Sequence, residues 1–144
     1  MANPTYKEVC TGRSGHAEVI RLHFDSSVVS FETLLQVFWH THDPTALNRQ
    51  GADAGTQYRS VIFYHDERQQ QDALRVKNEI EATGLWDSSI VTTIEPLTTY
   101  FKAEDYHQDY FALNGDAPYC SSVIRPKVQK LEREFAELLE ARLA

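Results

Sequence analysis

Cysteine is scarce in this 144-residue chain. There are two, Cys10 and Cys120, near opposite ends. No C-x-x-C pair occurs, which argues against a zinc ribbon or a thioredoxin-type redox pair. The ordinary role of a lone thiol is that of a small hydrophobe. Long apolar runs are lacking as well. Nowhere do about 18 apolar residues follow one another, so no membrane span is expected. Basic residues are in deficit, with 14 Lys and Arg against 21 Asp and Glu, a formal net charge of −7. A phosphate-binding surface needs clustered cations, so nucleic acid is not an expected partner. The opening "MANPTYKEVC" has neither the basic start nor the apolar stretch of a signal peptide, which makes a cytoplasmic location the expectation. Repeats, low-complexity tracts and Gly/Ser/Pro linkers are missing too. The expectation is therefore one domain spanning residues 1–144.

What is present is periodicity. "GHAEVIRLHF", residues 15–24, alternates as a β-strand does, with Ile20, Leu22 and Phe24 on one face. Glu18 falls on that same face. A carboxyl in line with core-facing residues would lose water. Desolvation disfavours its charged form and would keep it protonated near neutral pH, ready to donate. The alternative is a Glu18 at the sheet edge in water, or paired with an arginine.

Further on, Ser30 is a plausible N-cap for a helix whose apolar stripe is Phe31, Leu34, Leu35, Phe38 and Trp39. Pro44 closes that segment. "YRSVIFYH" reads as a second strand. Asp66 and Gln69 have capping-box spacing at the start of a second helix, and Gly84 stops it. "SSIVTTIEP" reads as a third strand and "AEDYHQDYFAL" as a short helix. Pro126 suits the first turn of a last helix, with a stripe of Val128, Leu131, Phe135, Leu138 and Leu139. Strands alternating with helices point to a layered α/β or α+β domain. Between them lies "DPTALNRQGADAGTQYR", about 17 residues of polar, Gly-containing loop. Loops of that length are usually functional or disordered, and its structured flanks favour function.

Several residues could carry chemistry. Tyr6 and Tyr58 lie in "NPTYKEV" and "GTQYRS", where a phenol can hydrogen-bond a ligand oxygen or simply sit half-buried. Asp53 belongs to the long loop and could equally cap a turn. His40, His42 and Asp43 cluster in "HTHDP". Two histidines two apart at a helix end face different ways, so no metal site is expected.

Four motifs together resemble one known family. "NPTYKEVCTGRSGHAEV", "HDPTALNRQGADAGTQYRSVIFYHD", "YFKAEDYHQDY" and "YCSSVIRPKV" follow the order of the type A peptide methionine sulfoxide reductases and cover nearly the whole chain. The resemblance implies an α+β fold, a mixed-sheet plait with a ferredoxin-like core and flanking helices. It implies thiol-dependent reduction of the S-epimer of methionine sulfoxide, free or in proteins, a repair of oxidised protein. It assigns Glu18 as the acid that protonates the sulfoxide oxygen, Tyr6 and Tyr58 as hydrogen-bond donors to that oxygen, and Asp53 to the same polar network. It points to Cys120 as the resolving thiol. It implies no bound cofactor, with thioredoxin or another thiol as external reductant.

The family's nucleophile lies in a "GCFWG"-like motif, which this sequence does not contain. The expectation is an N-terminally shortened member in which the first strand and helix are missing. Cys10, in "EVCTG", occupies a position where the family has a cysteine that is not the nucleophile. The alternative function is a fragment that binds sulfoxide peptides without turnover, or one completed by a partner chain that supplies the strand and thiol.

Overall fold

The computed structural model describes residues 2–138. The chain forms two compact units, Met1–Lys102 and a second beginning at Ala103.

The first unit is built on a βαβ crossover. Strand β3 (Val61–Tyr64) pairs in parallel with β4 (Thr93–Pro96), Val61 opposite Thr93 and Tyr64 opposite Pro96. Parallel neighbours need a long connection. Helix α3 (Glu67–Thr83) supplies it. Its ends follow local chemistry: the Asp66 carboxylate accepts from the Gln69 N–H at 2.8 Å, and the Gln69 side-chain oxygen accepts from the His65 N–H at 2.8 Å. Gly84 ends the helix in the left-handed region at φ 69°, where glycine carries no steric cost. Helix α2 (Phe31–Thr41) starts as its sequence predicts, with the Ser30 hydroxyl accepting from the Thr33 N–H at 3.0 Å.

Both helices bury one stripe against the other. Leu35 and Trp39 of α2 meet Ala73, Val76 and Ile80 of α3, and Phe31, Phe38, Ile62, Trp86, Ile90 and Ile94 pack around them. A buried hydroxyl chain ties the helix end to the sheet. His42 Nε2 lies 2.8 Å from Ser60 Oγ, which lies 2.6 Å from Thr92 Oγ1, and His42 Nδ1 lies 2.6 Å from the Phe38 carbonyl. His42 therefore serves packing.

The long polar loop is more ordered than its composition suggests. Within it, β1 (Arg49–Gln50) and β2 (Asp53–Ala54) form a small antiparallel hairpin, followed by a 3₁₀ turn at Thr56–Tyr58. Gly51 supplies the positive φ of 58° that the hairpin's tight turn requires. Upstream, α1 (Tyr6–Cys10) is one short helix capped by Thr5.

One expected strand does not form. Residues 15–24 carry no regular secondary structure and join no ladder among the described residues. Ile20 is 81 % exposed and Leu22 56 %. The alternation predicts a strand, but a strand also needs a neighbour, and none of the described residues pairs with this segment. Side-chain stacking contributes to holding the segment. His16 meets the Phe101 ring edge-on at 5.4 Å, Arg21 lies 4.1 Å over the Tyr100 ring, and Phe24 stacks on Phe31 at 6.5 Å.

The second unit is helical. The expected helix over 103–113 is broken into a 3₁₀ turn at Asp105–His107 and α4 (Tyr110–Asn114), because Asp109 takes φ 53°. A π-helical turn at Cys120–Ile124 leads into α5 (Arg125–Glu134), with Pro126 in its first turn. Val128, Leu131 and Phe135 of the predicted stripe are half-buried, and Leu139 lies outside the described residues. Cys120 is fully buried.

Candidate active site

A four-residue turn organises the site. Thr56–Arg59 grips residues 10–18 at four points. Thr56 Oγ1 donates to the Gly12 carbonyl at 3.0 Å. Gln57 Nε2 donates to the Cys10 carbonyl at a long 3.4 Å. The Gln57 carbonyl accepts from the Glu18 N–H at 2.8 Å. The Arg59 guanidinium donates to the Gly15 carbonyl at 3.1 Å and to the Thr56 carbonyl at 2.9 Å. The turn carries Tyr58, the gripped segment carries Glu18, and α1 just before it carries Tyr6 and Cys10. Side chains distant in sequence thus come to one place.

Electrostatics shows the convergence. The Tyr6 phenol is pushed up to about 12, first by its hydrogen bond to Cys10, then by negative charge on Cys10, by loss of water, and by Tyr58 and Glu18. Tyr58 is raised too, first by burial, then by the charges of Glu18, Asp53 and Cys10, while a hydrogen bond from the Gln57 side chain pulls the other way. Tyr6 and Cys10 are one helical turn apart on α1, which lets their side chains meet. Two phenols, two carboxyls and a thiol therefore share one field. At neutral pH both phenols keep their protons and can donate hydrogen bonds.

Burial differs from expectation. Glu18 is exposed, like Ile20 and Leu22 beside it, because nothing among the described residues covers that face. The desolvated carboxyl read from alternation gives way to the alternative, a carboxyl at an open edge. Tyr6 is exposed as well, at 41 %, while Tyr58 and Asp53 are half-buried. Asp53 sits in β2 rather than capping a turn. Cys10 is exposed and Cys120 buried, both as free thiols. Cys120 lies in the second unit, apart from this grouping in the chain. His40 Nδ1 lies 2.7 Å from the Gln36 carbonyl, and Asp43 Oδ1 accepts from the Thr45 hydroxyl at 2.5 Å.

Sequence reasoning overlooked Gln57 and Cys10's place beside Tyr6. The i, i+4 spacing of Tyr6 and Cys10 was available as a signal. Gln57 gave none, since a glutamine in a polar loop looks solvated.

The fold and this site define a class: an α+β protein that gathers an acid and two phenols around a short turn. Comparison with known proteins gives the family. A model of the peptide methionine sulfoxide reductase family matches residues 1–139. The chain is 49 % identical over 138 residues to the peptide methionine sulfoxide reductase MsrA of Chromobacterium violaceum, covering 96 % of this chain and 78 % of that one. With the MsrA of Nautilia profundicola it shares 51 % over 128 residues, covering 89 % and 72 %. Among solved structures, Mxr1 of Saccharomyces cerevisiae in reduced form superposes with a TM-score of 0.76 at 37 % identity, over 81 % of this chain and 63 % of that chain. Methionine sulfoxide reductase A of Corynebacterium diphtheriae gives 0.68 at 38 % identity, over 79 % and 58 %. The chain thus spans about three-quarters of those two curated relatives and about three-fifths of the solved chains. It belongs to the peptide methionine sulfoxide reductase family, type A, a family of oxidoreductases.

Proposed function

We propose that this protein reduces the S-epimer of methionine sulfoxide, free or within oxidised proteins, and that Glu18, Tyr6, Tyr58 and Asp53 form the side of the site that handles the sulfoxide oxygen. The observation that carries this reading is the convergence of Glu18, Asp53 and Cys10 on the two phenols, together with family membership. The S–O oxygen is a good acceptor and a poor leaving group. Tyr6 and Tyr58 donate hydrogen bonds to it, which stabilises the charge that develops there. Glu18 delivers the proton. The methyl group and side-chain methylenes of the bound sulfoxide displace water from Glu18, which favours its protonated form. Asp53 keeps Tyr58 within the polar network.

The chemistry balances with two thiols. A thiolate attacks the sulfoxide sulfur as its oxygen is protonated; the oxygen then passes to the attacking sulfur as the S–O bond and the new S–S bond break, leaving methionine and a sulfenic acid. A second thiol attacks the sulfenic sulfur, releasing water and leaving a disulfide. We assign this resolving part to Cys120, and the return to thiols to thioredoxin or another dithiol in the cytoplasm. No bound cofactor is required. Cys10 hydrogen-bonds Tyr6 and Cys120 resolves, so the attacking thiol is a third one, supplied from outside these 144 residues.

Two structural readings accompany this one. The crossover of β3, α3 and β4 is compatible with a mixed-sheet plait of ferredoxin-like type. One family model extends across both compact units, which favours a single domain over 1–144.

The test is an assay of (S)- and (R)-methionine sulfoxide peptides with dithiothreitol, run beside a binding titration. Methionine formed in excess of enzyme, from the S-epimer alone, supports the reading. S-selective binding without product supports the oxygen-handling side and requires the attacking thiol to come from elsewhere. Equal treatment of both epimers, or no binding, rejects it.

A further inference from the structure

We propose that Gln57 is a positioning residue for the oxygen-handling site, holding Glu18 through its main chain and orienting Tyr58 and the Tyr6 helix through its side-chain amide. The proposal deepens the reading above and rests on it for its catalytic meaning.

Gln57 is 4 % exposed, an unusual burial for a loop glutamine. Its carbonyl accepts from the Glu18 N–H at 2.8 Å, and its Nε2 reaches the Cys10 carbonyl at 3.4 Å, at the end of α1. One residue thus touches the segments that bear the acid and the first phenol, and it directly precedes the second.

Its carboxamide is boxed in by glycines. Gly55 has φ 143°, and a Cβ built there would collide with Gln57 Oε1. A Cβ on Gly12 would stand 3.5 Å from the same atom. Oε1 has no hydrogen-bond partner among the described residues. A buried acceptor left unpaired costs free energy. The site retains it, which argues that the amide's other end has a use. That end is the N–H pair. Donating an N–H to the Tyr58 oxygen occupies the phenol as acceptor and leaves its own O–H directed at a ligand. The same donation is what pulls Tyr58 down against burial and against Glu18, Asp53 and Cys10.

The test uses the whole chain with ¹³Cζ-labelled tyrosine, comparing wild type with Gln57→Met and Gln57→Glu. Both variants remove the N–H donor and nearly preserve side-chain length. NMR follows each phenol as pH rises. The expected result is a Tyr58 transition displaced to higher pH in both variants, with Tyr64 and Tyr110 unmoved. Affinity for an N-acetyl-methionine-(S)-sulfoxide methylamide falls about tenfold, the scale of one hydrogen bond. A Tyr58 transition unchanged in a folded variant overturns the proposal. So does loss of fold in both variants, since the side chain would then be structural. If wild type does not bind the sulfoxide, the functional reading fails, while the Tyr58 transition still decides the role of Gln57.

Discussion

The helical core of the first unit and the segment that carries Glu18 are built by different means. In the core, α2 and α3 carry their own caps and bury a shared stripe with Trp39, Ala73 and Val76 at zero exposure. At the edge, residues 10–18 hang from one turn by a handful of hydrogen bonds, and Ile20 and Leu22 lie open. The core is stabilised by area removed from water, roughly 25 cal/mol per Å² of apolar surface. The edge is positioned by polar contacts, each worth about 0.5–1.5 kcal/mol net. Glu18 and Tyr6 remain accessible to solvent, whereas the stripe shared by α2 and α3 does not.

Substitutions can break that contrast. Trp39→Ala should lower stability by about 3–5 kcal/mol through the cavity it leaves, read as a fall in urea midpoint. Glu18→Gln should lower kcat/KM for the S-sulfoxide by about 10²- to 10⁴-fold while shifting stability by less than about 0.5 kcal/mol, as expected of an exposed site. Equal damage to stability from both would erase the distinction. Ser60→Ala, which strips Thr92 of its 2.6 Å partner, should cost about 1–3 kcal/mol by leaving buried groups unpaired, visible in the same denaturation series. Asp66→Ala should cost about 1 kcal/mol, the worth of an N-cap, and leave sulfoxide binding untouched.

The smallest effect is in alkali. The Tyr6 phenol is pushed up to about 12 in the folded chain, against about 10 in an unfolded one. Below pH ~10 its contribution is complete. Between about pH 10 and 12 the folded state keeps a proton that the unfolded state has released, so stability declines as pH rises. Ultraviolet titration should find Tyr6 as a late phenol transition. Cys10→Ala should return it toward the ordinary range, because its largest cause is the Cys10 hydrogen bond.

The same contrast explains what the sequence discloses. Ser30, Asp66 and Gly84 announce helix ends because capping is local, and the structure uses all three. The stripe from Phe31 to Trp39 announces a buried face because its period matches the helix. Residues 15–24 announce a strand that does not form among the described residues. Whether such a segment becomes a ladder depends on a neighbour that local pattern does not encode, and Glu18 is exposed for that reason. In the second unit, Asp109 at φ 53° breaks a helix that composition alone would continue. Tyr6, Glu18, Asp53 and Tyr58 are recognisable only as motif residues, through resemblance to the family. Their convergence depends on the Thr56–Arg59 turn, whose hydrogen bonds run to backbone atoms, and backbone atoms leave no mark on residue type.

The most direct test of the account is ¹³Cζ-tyrosine NMR of this chain titrated separately with (S)- and (R)-methionine sulfoxide peptides. The account predicts that the S-epimer shifts the Tyr6 and Tyr58 signals together, leaves Tyr64 and Tyr110 in place, and loses both shifts in Glu18→Gln. Signals of Tyr6 and Tyr58 that stay still, or that move equally for both epimers, would contradict it.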